Sequence, residues 1–250
     1  GYRPDLLKAI KELRPPVIRW PGGCFASLYR WKDGIGPQWK REMYPQVMWD
    51  DLDVNSFGTD EFMGLCRRVG ADPIVVINIG ESVEYAQDWV RYCNNPPDTE
   101  WGAKRAKYGR REPYDVKYWE IDNEAWGMLG MSAEEYSEHV RRFAPALKEV
   151  DPDIKIIVVG SGSYDMEWNR KVVEQCGDYF DYLSVHHYEG PQNYEDGPRS
   201  YQDYLGRTAE MIRNSDNPDI KLYVSEWNAQ STDWRTGLYA GALLNGFERL

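Results

Sequence analysis

The chain has 250 residues, 42% of them hydrophobic, with 30 Lys and Arg against 41 Asp and Glu, a net charge of −11. That length suits one large α/β domain or two small ones and excludes a minimal module. The negative balance argues against nucleic acid as a partner, because a phosphate-binding face needs clustered positive charge, and no apolar run approaches the ~18 residues that span a bilayer.

Strand and helix patterns alternate from end to end. A helix is predicted over 5–13, then a short β-rich run at 17–20 that closes on Pro21-Gly22-Gly23. Helix 59–69, strand 73–79, helix 83–93 and strand 116–121 follow. The clearest helix is 132–150, where Ser132 and Glu135 have the spacing of a capping box and Tyr136, Val140, Phe143, Leu147 and Val150 recur at helical intervals. Strand 154–160, helix 166–176, strand 182–186, helix 201–214, strand 220–225 and helix 235–249 complete the chain. The alternation predicts a parallel sheet with helical crossovers. With no internal repeat and no linker-like stretch, it reads as one domain.

Four cysteines, Cys24, Cys66, Cys93 and Cys176, lie far apart without a CxxC pair. A zinc site or disulfide framework is therefore not expected. There is no Asn-X-Ser/Thr sequon, and the chain starts at Gly1, which does not look like a natural start. These features favour a reducing, cytoplasmic setting and leave secretion open. The short basic clusters at 104–107, 110–111 and 141–142 read as solvated faces.

Aromatic residues make up 14% of the chain. Many stand in polar or Gly-rich context: Tyr29, Trp31, Trp39, Tyr44, Trp49, Trp126, Trp227 and Trp234. Aromatic faces beside hydrogen-bonding groups suit sugar rings, whereas the plainer reading is that they pack the core.

In parallel α/β folds the chemistry sits at the carboxyl ends of the strands. Those ends read Arg19-Trp20-Pro21-Gly22-Gly23-Cys24, Asn78-Ile79-Gly80-Glu81, Glu120-Ile121-Asp122-Asn123-Glu124, Gly160-Ser161-Gly162, His186-His187-Tyr188 and Ser225-Glu226-Trp227-Asn228. Glu124 and Glu226 each follow an apolar run and precede a tryptophan. Brought together they would form the carboxyl pair that glycoside hydrolysis needs, one group protonating the leaving oxygen and the other attacking the anomeric carbon or activating water. The residues alone do not say which is which, and two separate salt-bridged carboxylates remain the alternative.

Strand parity puts Ser184, His186 and Tyr188 on one face, with Val185 and His187 on the other. His186 is then the inward candidate and His187 a structural one. In the last strand the same rule groups Leu222, Val224 and Glu226. Asn123 can turn inward beside Asp122 and Glu124 only if the strand ends or bulges there, and it is expected to. An inward Arg19 could hold Glu226 ionised, whereas Glu124 would have to keep its proton near neutral pH.

The run Arg19-Trp20-Pro21-Gly22-Gly23-Cys24-Phe25, followed by Trp31-Lys32-Asp33-Gly34-Ile35-Gly36-Pro37, resembles glycoside hydrolase family 51, the α-L-arabinofuranosidases with some endo-β-glucanases and xylanases. Asn55-Ser56-Phe57-Gly58, Glu61-Phe62-Met63, Asn123-Glu124, His186 with Tyr188, and Glu226-Trp227-Asn228 extend the match. The resemblance implies a retaining (β/α)8 TIM-barrel hydrolase without metal or other cofactor. In it Glu124 matches the acid/base and Glu226 the nucleophile. Arg19, Asn123, His186 and Tyr188 match residues that bind the sugar or orient the nucleophile, and Cys24 and Trp126 join them as substrate-binding candidates. Cys24 stands where many members have Asn, and Asp122 where the familiar motif has Gly.

The expected activity is exo-acting removal of arabinose from plant polysaccharide or oligosaccharide side chains. An endo-β-1,4-glucanase or xylanase, a metal-dependent barrel enzyme using Glu124, Asp122, His186 and Glu226, and a non-catalytic carbohydrate-binding barrel are the alternatives. The strand ends fall near 20, 79, 122, 160, 186 and 225, so 250 residues hold about six strand–helix units. The expectation is a catalytic middle of a longer chain, without the first and last strands or the accessory β-sandwich, and with a possible homo-oligomer of the full-length protein.

Overall fold

A computed structural model describes residues 2–48 and 50–249. The chain groups into two compact units, one comprising Gly1–Asn123 with Arg142–Ile156 and the other Glu124–Arg141 with Ile157–Leu250.

The first unit opens with α1 (Pro4–Leu13), where Pro4 occupies a position whose N–H has no helical partner in any case. Strand β1 (Val17–Trp20) leads into three short 3-10 turns and then a hairpin of β2 (Tyr44–Gln46) and β3 (Asp51–Asp53). Helix α2 (Thr59–Val69), β4 (Asp72–Ile77), α3 (Val83–Asn94), α4 (Glu100–Lys107) and β5 (Tyr118–Ile121) follow. β1 pairs in parallel with β4, and β4 with β5. Ile74, Val75, Val76 and Ile77 of β4 are all buried, as expected of a parallel strand covered on both faces.

The hairpin and α4 had no counterpart in the predicted elements. Strands of three residues are too short to show a period, and α4 carries Gly102 among charged residues. The basic cluster 104–107 also departs from expectation. Arg105 is fully buried, not solvated. Its guanidinium donates to the carbonyls of Tyr92, Asn95 (2.8 Å), Arg111 (3.2 Å) and Glu112 (3.1 Å). It thereby satisfies carbonyls at the end of α3 that have no helical partner.

Tyr29 and Trp31, candidates for a sugar wall, are core residues. Trp31 stacks on Trp89 with ring centroids 5.6 Å apart, and Tyr29 lies edge-on to Trp20 at 5.0 Å. Trp39 is exposed, and Trp49 lies outside the described residues.

Helix α5 (Ala133–Val150) begins with the expected capping box: Glu135 N–H donates to Ser132 Oγ at 3.2 Å and Ser132 N–H to Glu135 Oε2 at 2.8 Å. After it come β6 (Lys155–Gly162), which enters the second unit at Ile157, and then α6 (Met166–Cys176), β7 (Tyr182–Glu189), α7 (Gly197–Arg213), β8 (Lys221–Ala229) and α8 (Trp234–Phe247). β6, β7 and β8 are parallel in that order. Val185, Tyr201, Leu205, Tyr239 and Leu243 form the core between β7 and the helices.

One register shift corrects the parity expectation for the last strand. Val185 pairs with Val224, but His186 pairs with Glu226, so Ser225 is an extra residue in β8. Such a bulge reverses the facing of everything after it. Leu222 and Val224 pack with Val185 and Tyr201 beneath the helices, and Glu226 lies on the opposite face with His186. A second shift in β6, where Val159 pairs with Ser184 and Gly162 with His186, accommodates residues 160–161.

Replacing Arg105 by Ala should lower unfolding stability by about 3 kcal/mol or more, because several buried carbonyls lose a charged donor together. Urea unfolding of the two proteins measures this, and a midpoint shift no larger than that of an exposed Lys104→Ala control would refute it.

Candidate active site

The expected site residues fall into two groups. Arg19, Cys24 and Asn123 belong to the first unit, whereas Glu124, Trp126, His186, Tyr188 and Glu226 belong to the second.

In the first group Arg19 is the hub. Its Nε donates to Glu120 Oε2 and its Nη2 to Asn123 Oδ1 at 2.7 Å. Glu120 is wholly buried, so this pair exists only because each charge compensates the other. A Cβ on Gly22 would lie 3.0 Å from Arg19 Nη1, which is why a residue without a side chain follows Pro21. Asn123 Nδ2 reaches Cys24 Sγ at 3.9 Å, the long contact of a weak sulfur acceptor.

The chain does leave strand geometry at the end of β5, as the inward turn of Asn123 required. Asp122 has φ 61° and Glu124 φ 40°, both in the left-handed region. Asp122 does not act as a loose extra charge. Its carboxylate accepts from Ser27 Oγ, from Ile79 N–H at 2.9 Å and from Asn123 N–H at 2.7 Å. Burial pushes its pKa up, and these three donors offset part of that rise. It fastens the ends of β4 and β5 to the turn after β1. A metal reading with Asp122 as ligand conflicts with this use of its oxygens.

In the second group His186 lies between the two glutamates. Its Nδ1 is 2.7 Å from Glu124 Oε1 and 3.7 Å from Glu226 Oε2. One oxygen of each glutamate and the imidazole nitrogen lie within 4.8 Å of one another. Tyr188 donates its hydroxyl to Glu226 Oε2 at 2.8 Å. The glutamate side chains are each 19% exposed, buried enough for strong electrostatics and still open to a ligand. Trp126 donates Nε1–H to Gly160 O at 3.1 Å and lies on Gly162, where any Cβ would sit 2.7 Å from its ring.

His187 takes the structural place assigned to it. Its Nε2 lies 2.8 Å from Glu189 Oε2 and 3.0 Å from Tyr164 Oη, and its ring stacks on Tyr201 at 4.9 Å. Trp227 packs against Phe247 and Trp234 is exposed, so neither belongs to this cluster.

Two residues of the second cluster were not among the candidate site residues. Ser225 Oγ is 2.7 Å from His186 Nε2, and it is hydrogen-bonded in turn to Ser184 Oγ. Ser184 was visible as a face-mate of His186, and Ser225 lies on the face opposite Val224, where the bulge brings Glu226 beside it. Glu120, the partner of Arg19, stood in the strand-end run and was not singled out between apolar Trp119 and Ile121.

Comparison with known proteins bears on this arrangement. The family profile of the α-L-arabinofuranosidase 1 domain matches residues 9–207. A probable α-L-arabinofuranosidase C of Aspergillus fumigatus is 42% identical over 180 residues, covering 70% of this chain and 35% of the relative. An intracellular exo-α-(1→5)-L-arabinofuranosidase of Acetivibrio thermocellus is 31% identical, covering 91% and 49% respectively. The crystal structure of an α-L-arabinofuranosidase from Thermotoga maritima in complex with arabinose superposes with a TM-score of 0.91 at 35% identity, over 98% of this chain and 54% of that one. The family 51 enzyme of Thermotoga petrophila gives 0.92 at 34% identity, over 100% and 56%. This chain thus spans between about a third and a little over half of these relatives' lengths. Its fold class is the expected (β/α)8 barrel, of which the described residues hold six parallel strand–helix units. The chain belongs to the α-L-arabinofuranosidases of glycoside hydrolase family 51.

Proposed function

We propose that the protein is a retaining glycoside hydrolase that removes terminal α-L-arabinofuranosyl groups by double displacement. The observation that carries this reading is the approach of Glu124 and Glu226 around one imidazole, with their nearest ligating oxygens within 4.8 Å. Inverting enzymes need about 6.5–9.5 Å between carboxyl groups to admit water, and retaining ones about 5–5.5 Å. The short separation supports direct attack by a carboxylate. Arabinofuranoside as substrate is supported by family membership and by the names of the relatives.

In this reading Glu226 attacks the anomeric carbon while Glu124 gives its proton to the leaving oxygen. Glu124 then takes a proton from water, and that water displaces Glu226 with net retention. Tyr188 holds Glu226 Oε2, fixing the carboxylate for in-line attack. Trp126 offers an aromatic face near Gly162 for the sugar or its leaving group. An intracellular site of action is supported by the name of the Acetivibrio relative, and among the described residues no helix is long and apolar enough to cross a membrane.

Azide separates the two carboxylate roles. With an activated aryl arabinofuranoside, Glu124→Ala should lose about 10²–10⁴-fold in turnover and recover with azide, giving the glycosyl azide of retained configuration. Glu226→Ala should be inactive alone and yield only the inverted azide. Product configuration read by NMR decides, and retained azide from the Glu226 variant would overturn the assignment.

Tyr188→Phe removes one hydrogen bond to a charged acceptor. The expected loss in kcat/KM is about tenfold to hundredfold, from ~1.5–3 kcal/mol. Steady-state kinetics with an unchanged value would show that Tyr188 does not position the nucleophile.

A further inference from the structure

The mechanism just described leaves one part of the second cluster unused. Ser184 Oγ, Ser225 Oγ, His186 and Glu124 form a continuous hydrogen-bonded row. Ser184 is buried at 2% exposure and His186 at 5%, and Ser225 between them is half-buried. Alternation from Val224 already turns Ser225 to the side of His186, and the extra residue lets Glu226 join it there, opposite that histidine.

We propose that Ser225 is a positioning residue that fixes the tautomer of His186 and thereby keeps the acid/base proton available. The proposal rests on the reading of Glu124 as acid/base. A histidine nitrogen beside a carboxyl oxygen can either donate to it or accept from it. If Nδ1 accepts, the proton of Glu124 is drawn onto Oε1 and held against the imidazole, away from the leaving group. If Nδ1 donates, Oε1 is occupied as an acceptor and the proton of Glu124 resides on Oε2, where a glycosidic oxygen can receive it. The choice is made at the far nitrogen, because a neutral imidazole has one donor and one acceptor. A hydroxyl can donate or accept, and Ser225 donates to Nε2, favouring Nδ1–H, when Ser184 donates to Ser225 Oγ in turn. The same row serves both displacements, since Nδ1–H also suits an ionised Glu124 waiting for water.

No bond other than hydrogen bonds changes in this scheme, and the proton transferred to substrate is that of Glu124. Ser225 touches neither glutamate in it and acts through His186 alone.

These 250 residues hold three histidines, and long-range ¹H–¹⁵N spectra of the protein with labelled imidazoles, with a His186→Gln variant for assignment, give the tautomer of His186. His186 should show a protonated Nδ1 and an accepting Nε2. In Ser225→Ala the signal should move towards the Nε2–H form, and Ser225→Thr, which keeps the hydroxyl, should restore it. A wild-type His186 protonated on Nε2 alone would overturn the proposal without any variant, as would an unchanged spectrum in Ser225→Ala.

Kinetics supply a second test. For Ser225→Ala, kcat/KM should fall about tenfold or more on phenyl arabinofuranoside, whose leaving group needs protonation, and less than about threefold on the 2,4-dinitrophenyl analogue, whose leaving group does not. Equal losses on both would refute a role in proton delivery. If the wild-type protein hydrolyses neither glycoside, the proposed function fails, whereas the tautomer measurement stands on its own result.

Discussion

A single inserted residue in the last strand sets the chemistry of the second unit. Side chains alternate along a strand, so Glu226 would share the helix-facing side with Leu222 and Val224 if β8 ran without a bulge. There it would be a buried carboxylate among Val185, Tyr201 and Leu205, at a cost of several kcal/mol. The extra Ser225 turns Glu226 to the side of His186 and leaves the hydrophobic residues before it in the core. Ser225, facing away from Val224, brings its hydroxyl to the imidazole. Packing below the bulge and the placement of Glu226 beside His186 at it are therefore satisfied by one sequence.

The end of β5 solves a related problem by other means. Three consecutive polar residues, Asp122, Asn123 and Glu124, cannot all meet partners from an extended strand. Left-handed backbone at Asp122 and Glu124 breaks the alternation and gives each side chain its own direction. Such backbone costs of order 1–3 kcal/mol per residue and persists only where the surroundings over-determine it. Asp122 supplies that determination, with two backbone N–H groups and the Ser27 hydroxyl on its carboxylate. What looked in the sequence like a departure from the familiar Gly-Asn-Glu is a brace for the residues that follow.

These two devices mark what could be read in advance and what could not. The six parallel strands and the capped α5 were legible because hydrophobic period and cap chemistry are local. The polar residues at strand ends were legible because a parallel fold gathers them there. Strand parity separated His186 from His187 because β7 itself runs from Tyr182 to Glu189 without an inserted residue. It failed for Leu222, Val224 and Glu226 because a bulge leaves no mark in the hydrophobic pattern. Arg105 misled for the opposite reason. It stands in a basic run, yet its charge is dispersed over carbonyls contributed by residues before and after it, a partnership no local pattern records. Tyr29 and Trp31 illustrate a third limit, since polar neighbours in the sequence do not prevent an aromatic ring from entering a core of other aromatics.

The buried charges of this protein also divide by use. Arg19 with Glu120, Asp122 with its three donors, and Arg105 with its carbonyls are held in fixed geometry with exposures below a tenth. Glu124 and Glu226 keep roughly a fifth of their side-chain surface open. In the proposed reaction these groups gain and lose a proton, or form and release a covalent bond, which requires access for a ligand. They still need a fixed direction. His186 and Tyr188 meet that need on one edge of the carboxyl pair, each by a single hydrogen bond at an identified oxygen. The rigid supports are then displaced one step outward, onto Ser225 and Ser184 behind the imidazole. In such an arrangement stability resides in groups that never change state, and reactivity in groups whose surroundings constrain orientation without constraining charge.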